Sequence, residues 1–208
     1  MKRMTSALLA LAIAAAPAAS LAQEEASGDG VGLGGRIEVS GAGYAVTFPE
    51  DWVHIRPTQG DAEVILDEVS RVAPGLVPMI EAALAGGLAF SVLAYGVSTD
   101  GFVENCNILD RIADGRSIDQ VAAGEVTNLE GLGEFIDSGP DLTFIEIPID
   151  RIARIDVGLR LPDTDLESTS YIIVDADWIH TMSCTGDARP TDAWASIVET
   201  FELLPLEG

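Results

Sequence analysis

The chain has 208 residues, with 34 acidic and 11 basic side chains, a formal charge of −23 and 48% hydrophobic residues. Such an excess of carboxylates argues against nucleic acid and anionic lipid as partners, because both are gripped mainly by lysine and arginine. It favours solubility, basic partners and loosely held cations, on a chain long enough for one domain with a real core.

The N-terminal stretch MKRMTSALLALAIAAAPAASLAQ places Lys2 and Arg3 before an apolar run from Ala7 to Ala16, then small residues up to Ser20-Leu21-Ala22. This is the order of a secretory signal peptide, whose apolar core is too short to span a bilayer, and cleavage is expected after Ala22. No cysteine follows the small residues, so the lipid-attachment signal of a lipoprotein is missing. The mature chain is therefore expected to be secreted or periplasmic, with no membrane span. Losing Lys2 and Arg3 leaves 9 basic residues against 34 acidic ones, a charge of −25, and removes the only lysine. Two cysteines remain, Cys106 and Cys184. An even count outside the cytoplasm reads as one disulfide. It would close a loop of 78 residues, worth on the order of 4.5 kcal/mol in the chain-entropy model.

Residues 23–35, QEEASGDGVGLGG, hold almost nothing to bury and read as a flexible linker, with a single globular domain over 36–208. Gly30, Gly32 and Gly35 satisfy G-x-G-x-x-G formally, but no strand precedes them and no helix follows, so the dinucleotide fingerprint is not met. RIEVS, GAG and YAVTF then read as a hairpin with Gly41 and Gly43 at its turn. Pro49-Glu50-Asp51 is expected to end it before a short extended WVHIR. DAEVILDEVSRVA places Ala62, Ile65, Leu66, Val69 and Val72 on one helical face, and a second helical stretch is expected to run to about Ala85. The nearly uncharged stretch from Leu76 to Ala94 reads as a helix, a Gly86-Gly87 break and a buried strand LAFSVLAY rather than a membrane span.

FVENCNIL is the next strand. Ser117-Ile118-Asp119-Gln120 has capping-box spacing and opens a helix, expected to end near Gly131, that buries Ile118, Val121, Ala122 and Leu129. LTFIEIP, RIARIDVGLRL, TSYIIVD and DWIHTMSC follow as strands, separated by Pro148, the polar LPDTDLES and the Asp-Ala-Asp turn at 175–177. Thr191 caps a last helix whose Trp194, Ile197, Val198 and Phe201 share a face. Runs of neighbouring strands with helices between sheet halves and at the end predict an α+β fold with a largely antiparallel sheet.

Together the hairpin ending in YAVTFPEDW, the FVENCNIL strand before a capped helix, the RIARIDVGLR strand, the YIIVDADWIHTMSC hairpin and the closing WASIVETFELLP helix resemble the PsbP-like superfamily. The resemblance covers about residues 36–205. It implies an α/β/α sandwich around an antiparallel sheet and a mostly non-enzymatic family with no shared catalytic set. The acidic, lysine-free mature chain departs from the photosystem branch, which relies on basic residues and on manganese or calcium retention. In that architecture FVENCNIL and DWIHTMSC share a sheet, and alternation puts Cys184 on the side of Trp178, His180 and Met182. The resemblance thus implies a Cys106–Cys184 bond pinning the central sheet to the final hairpin.

Both histidines lie in similar pentapeptides, DWVHI at 51–55 and DWIHT at 177–181. Their flanks share no register, so they read as two strand starts rather than a repeat. His54 and His180 would supply half of a tetrahedral zinc shell; more simply, they cover the sheet with one polar edge turned to water or a carbonyl. Asp163, Asp165 and Glu167 in LPDTDLES could hold calcium loosely, without the EF-hand series; otherwise they form an acidic loop. G-x-S-x-G and Ser-x-x-Lys are absent. The sequence therefore leads to an exported, non-catalytic binding or scaffolding domain of the bacterial envelope or extracellular space, with no cofactor and a protein or envelope component as partner. The alternatives are an extracytoplasmic hydrolase using carboxylates and a histidine, and a divalent-ion-dependent domain.

Overall fold

The computed structural model describes residues 31–56, 63, 66–67, 70, 81, 90–96, 104–160, 165–175, 177–187 and 192–205. In chain order the elements are β1 (Val31–Val39), β2 (Tyr44–Ile55), β3 (Phe90–Tyr95), β4 (Asn105–Ile112), α1 (Ile118–Glu130), β5 (Ile136–Glu146), β6 (Arg151–Arg160), β7 (Asp165–Val174), β8 (Trp178–Gly186), α2 (Asp192–Glu199) and β9 (Glu202–Leu203). The strands form one sheet in the order β1-β2-β3-β4-β8-β7-β6-β5, with β9 on β2. Every described pairing is antiparallel, which makes the fold α+β. Along that order, strands adjacent in sequence are adjacent in space except where β4 meets β8.

Alternation along the strands gives the sheet two unlike faces. On one, Tyr44, Val46, Phe48, Val92, Ala94, Cys106, Ile108, Met182 and Cys184 pack against Trp194, Ile197 and Val198 of α2 and Phe201 just beyond it. On the other, Val121, Ala122 and Leu129 of α1 pack against Ala153, Ile155, Val157, Leu166, Ile172 and Ile179. Each such aliphatic side chain taken out of water is worth roughly 1.5–3 kcal/mol. The α1 N-terminus carries the expected capping box: Ser117 Oγ accepts from Gln120 N–H at 3.4 Å and Gln120 Oε1 accepts from Ser117 N–H at 3.0 Å. Cys106 and Cys184 face each other across β4 and β8 and are disulfide-bonded, with a Cα–Cα distance of 4.0 Å.

Several boundaries differ from the sequence reading. β1 begins at Val31, inside the expected linker, because Gly32 and Leu33 pair with His54 and Val53. Backbone pairing needs no apolar side chain, so the glycine-rich composition concealed it. Pro49-Glu50-Asp51 does not end β2. Gly35 pairs with Phe48 and Leu33 with Val53, so these residues bulge from a continuous strand. Asp165 and Glu167 belong to β7 rather than to a loop. Thr191, as the expected helix cap, lies outside the described residues, and so does most of the expected helical region over 61–85, of which Glu63, Leu66, Asp67, Ser70 and Glu81 are helical. Among the described residues no helix is long and apolar enough to cross a membrane.

Two glycines in this frame have opposite tolerance. A Cβ on Gly186 would stand 2.9 Å from the indole of the fully buried Trp194, whereas one on Gly124 in α1 meets nothing within 4 Å. Gly186→Ala is expected to lose about 1–3 kcal/mol by overpacking, and Gly124→Ala to gain about 0.5–1 kcal/mol from helix propensity. Urea denaturation of both variants checks the sign of each change.

Candidate functional site

The structure does not bring the two histidines together. His54 lies on β2 beside Ala94, whose row continues through Cys106 to Cys184. His180 is four residues further along β8 and three strands away from it in the sheet order. His54 is part-exposed, and its Nδ1 is buried without a hydrogen-bond partner. Burial, and then the charge of Arg56, hold its imidazole below the ordinary histidine value, partly offset by a backbone hydrogen bond at Leu33.

His180 is wholly buried and is wired to carboxylates from two elements. Its Nδ1 lies 2.7 Å from Asp110 Oδ1, directly opposite on β4. The other Asp110 oxygen accepts a hydrogen bond from Ser91 Oγ of β3. The Tyr44 ring meets the imidazole edge-on at 4.9 Å and stacks on Phe201 at 4.8 Å. Burial, and then the charge of Asp110, push the Tyr44 phenol far above its ordinary range, so it stays neutral. His180 Nε2 has no hydrogen-bond partner; Asp175 Oδ2 is 3.6 Å away. Asp175 is itself fixed in the β7–β8 turn, where its Oδ1 accepts from the backbone N–H groups of Asp177 at 2.8 Å and Trp178 at 2.6 Å. This array joins β2, β3, β4 and β8, but its imidazole does not reach solvent. Ser91 donates to the aspartate rather than to the histidine, so the three side chains do not stand in the serine–histidine–aspartate order of a hydrolase triad.

Asp163 lies outside the described residues. Asp165 and Glu167 project from the same side of β7, with Asp165 opposite Arg160 and Glu167 opposite Gly158 and Gly186. Among the described residues no three His, Cys, Asp or Glu side chains are grouped to hold a metal ion. A carboxyl that composition did not single out is Glu104, just before β4. Burial, and then the charge of Asp187, raise it above the ordinary carboxylate range.

A second candidate locus, missed in the sequence reading, lies on the α1 face of the sheet. Asn105 and Asn107 of β4 stand opposite Thr185 and Ser183 of β8, which stand opposite Ser168 and Ser170 of β7. Asn105, Asn107, Ser168, Thr181 and Thr185 are all buried. Ser170 and Ser183 share a hydrogen bond at 2.9 Å, Ser168 and Thr185 one at 3.2 Å. At the edge of this polar floor the Arg111 guanidinium reaches Thr181 Oγ1 at 3.4 Å and Glu125 of α1 at 3.5 Å, while its Nε is buried with no partner. The signal was present as strict alternation: polar 105 and 107 against Cys106 and Ile108, polar 181, 183 and 185 against Met182 and Cys184. Alternation alone marks the polar side as solvent-facing, whereas here most of it is covered.

No family model matches the sequence, and no curated protein matches it. A solved structure from Bacteroides thetaiotaomicron VPI-5482 is similar in fold, with a TM-score of 0.51 and 13% sequence identity over 83% of this chain. The chain spans about half the length of that structure, 49%. At this identity the likeness speaks for the fold alone.

Two consequences follow for stability. Asp110→Asn keeps the shape but weakens the acceptor shared by His180 and Ser91, and is expected to lose about 1–3 kcal/mol in chemical denaturation. Glu104 has a folded pKa above its unfolded value, so the folded chain holds that proton more tightly. The stability this contributes is full at acid pH and is lost as pH rises through the folded value. Glu104→Gln should therefore melt higher than the parent at pH 7, and the difference should vanish below about pH 4, where the carboxyl is protonated in both states.

Proposed function

We propose that this chain is an exported, non-catalytic binding domain whose ligand rests on the α1 face of the sheet. The observation that carries the reading is the polar floor on β4, β8 and β7: hydroxyl and amide groups gathered at the centre of a sheet face that is otherwise apolar. Folding gains little from such groups in the interior, since an internal hydrogen bond mainly replaces one with water. A site that exchanges water for a ligand gives the same groups a use.

Export is supported by the signal-peptide order of residues 1–22 and is compatible with the buried disulfide. The PsbP-like, layered-sandwich reading belongs to the same proposal; it draws on the element order and on one helix packing on each face. The hydrolase alternative draws no support from His180, which is sealed beneath Tyr44 and Phe201. Expression of the whole chain in a Gram-negative host tests the proposal. Intact mass is expected to show an oxidised periplasmic protein beginning at Gln23. Full-length protein retained in the cytoplasm would refute export, and a hydrolytic activity lost in His180→Gln but not in His54→Gln would refute the non-catalytic part.

A further inference from the structure

We infer that the polar floor beside α1 binds an uncharged, hydroxyl-rich small molecule of the saccharide or polyol class. This deepens the proposed binding function and rests on it. The ligand class follows from the chemistry of the side chains that meet there. Ser170, Ser183 and Thr181 each offer both a donor and an acceptor, as does the amide of Asn107, and sugar hydroxyls are ambivalent in the same way. A charged ligand has no counterpart on this floor, because Arg111 and Glu125, 3.5 Å apart, already offset each other.

The floor is also incomplete in the way a binding surface is. Asn107 is only 4% exposed. Arg111 Nε is buried without a hydrogen-bond partner. Buried polar groups are ordinarily satisfied, since each unmet donor costs about 1–3 kcal/mol. A hydroxyl-bearing ligand laid along β4 and β8 would bring an acceptor to the Arg111 Nε–H. Access is open from one side: Ser170 and Ser183 are part-exposed, and the Arg111 side chain is 38% exposed. Discrimination would come from the same groups, because a ligand lacking a hydroxyl leaves its partner on the floor unpaired.

The test is an NMR titration of the isotopically labelled mature chain, residues 23–208, with D-glucose and N-acetylglucosamine as uncharged probes and gluconate and glucosamine as their charged counterparts. Saturable amide shifts centred on β4, β7 and β8 are expected with the uncharged probes. Asn107→Leu should weaken them at least tenfold, and Ser183→Ala, a milder change at a part-exposed position, should weaken them while leaving the melt cooperative. No saturable shift with either uncharged probe overturns the inference, as do shifts unchanged in both variants or a response confined to gluconate, which would place a carboxylate on Arg111. None of these outcomes alters the processed N-terminus, so failure of the ligand class and failure of the export reading are separable.

Discussion

Cys106 and Cys184 stand opposite each other near one end of the β4–β8 ladder, where eight consecutive residue pairs, Asn105 with Thr185 through Ile112 with Trp178, join the strands. Remove that pairing and the described sheet falls into two antiparallel meanders, β1 to β4 and β5 to β8. Nothing local in the chain brings them together. Closing a loop of this length carries a configurational entropy cost that grows only slowly with loop length, and in the chain-entropy model the 78-residue disulfide loop offsets on the order of 4.5 kcal/mol of it. The bond is one residue pair in a ladder that also carries Asp110 opposite His180 and Asn107 opposite Ser183. Both candidate loci therefore rest on one seam, one locus on each face.

The two faces use polar groups in opposite ways. On the α2 face, the carboxylate of Asp110 is taken up by His180 and Ser91 among aromatic rings, and an array this enclosed acts on the register of β4 against β8. A one-residue slip would carry His180 to the α1 face and leave a buried carboxylate without its partner, a far larger penalty than the loss of an apolar contact. Buried polar networks fix arrangement at some expense of stability, and here that role is consistent with a histidine that never reaches water. On the α1 face, the paired hydroxyls are neutral and short-reaching, and an unmet donor remains at Arg111 Nε. The first arrangement is closed and specifies the fold; the second is the one proposed to take a ligand.

Much of this architecture was legible because it follows from local chemistry. The Ser117 cap three residues before Gln120, the i, i+3, i+4, i+7 set from Trp194 to Phe201, and the alternation in RIARIDVGLR each dictate an element without reference to the rest of the chain. The boundaries that escaped were set by pairing rather than by side chains. Gly32 and Leu33 join the sheet through backbone groups alone, and Pro49 survives inside β2 because the strand bulges where its missing N–H would have been needed. The similarity of DWVHI and DWIHT does not mark two strand starts: DWVHI closes β2, whereas DWIHT opens β8. Topology then placed one histidine at a part-exposed site and buried the other between carboxylates, a difference that five residues cannot encode.

The floor on β4, β8 and β7 was harder to see for a physical reason. Alternation states which side chains share a face, but not which face a later element will cover. In β6 the apolar members at Ala153, Ile155 and Val157 meet α1, so pattern and burial agree. In β4 and β8 the same alternation places asparagine, serine and threonine on that shared face, where a solvent-exposed edge would ordinarily be read. Burial of a polar alternating face is thus the informative mismatch: neither propensity nor the hydrophobic effect accounts for it, and hydrogen bonding within the floor satisfies only part of it. A sheet built for packing alone would continue the Ala153–Val157 surface across β7 and β8 with valine and isoleucine. That this one does not is the physical reason for placing the proposed ligand there rather than at the histidines.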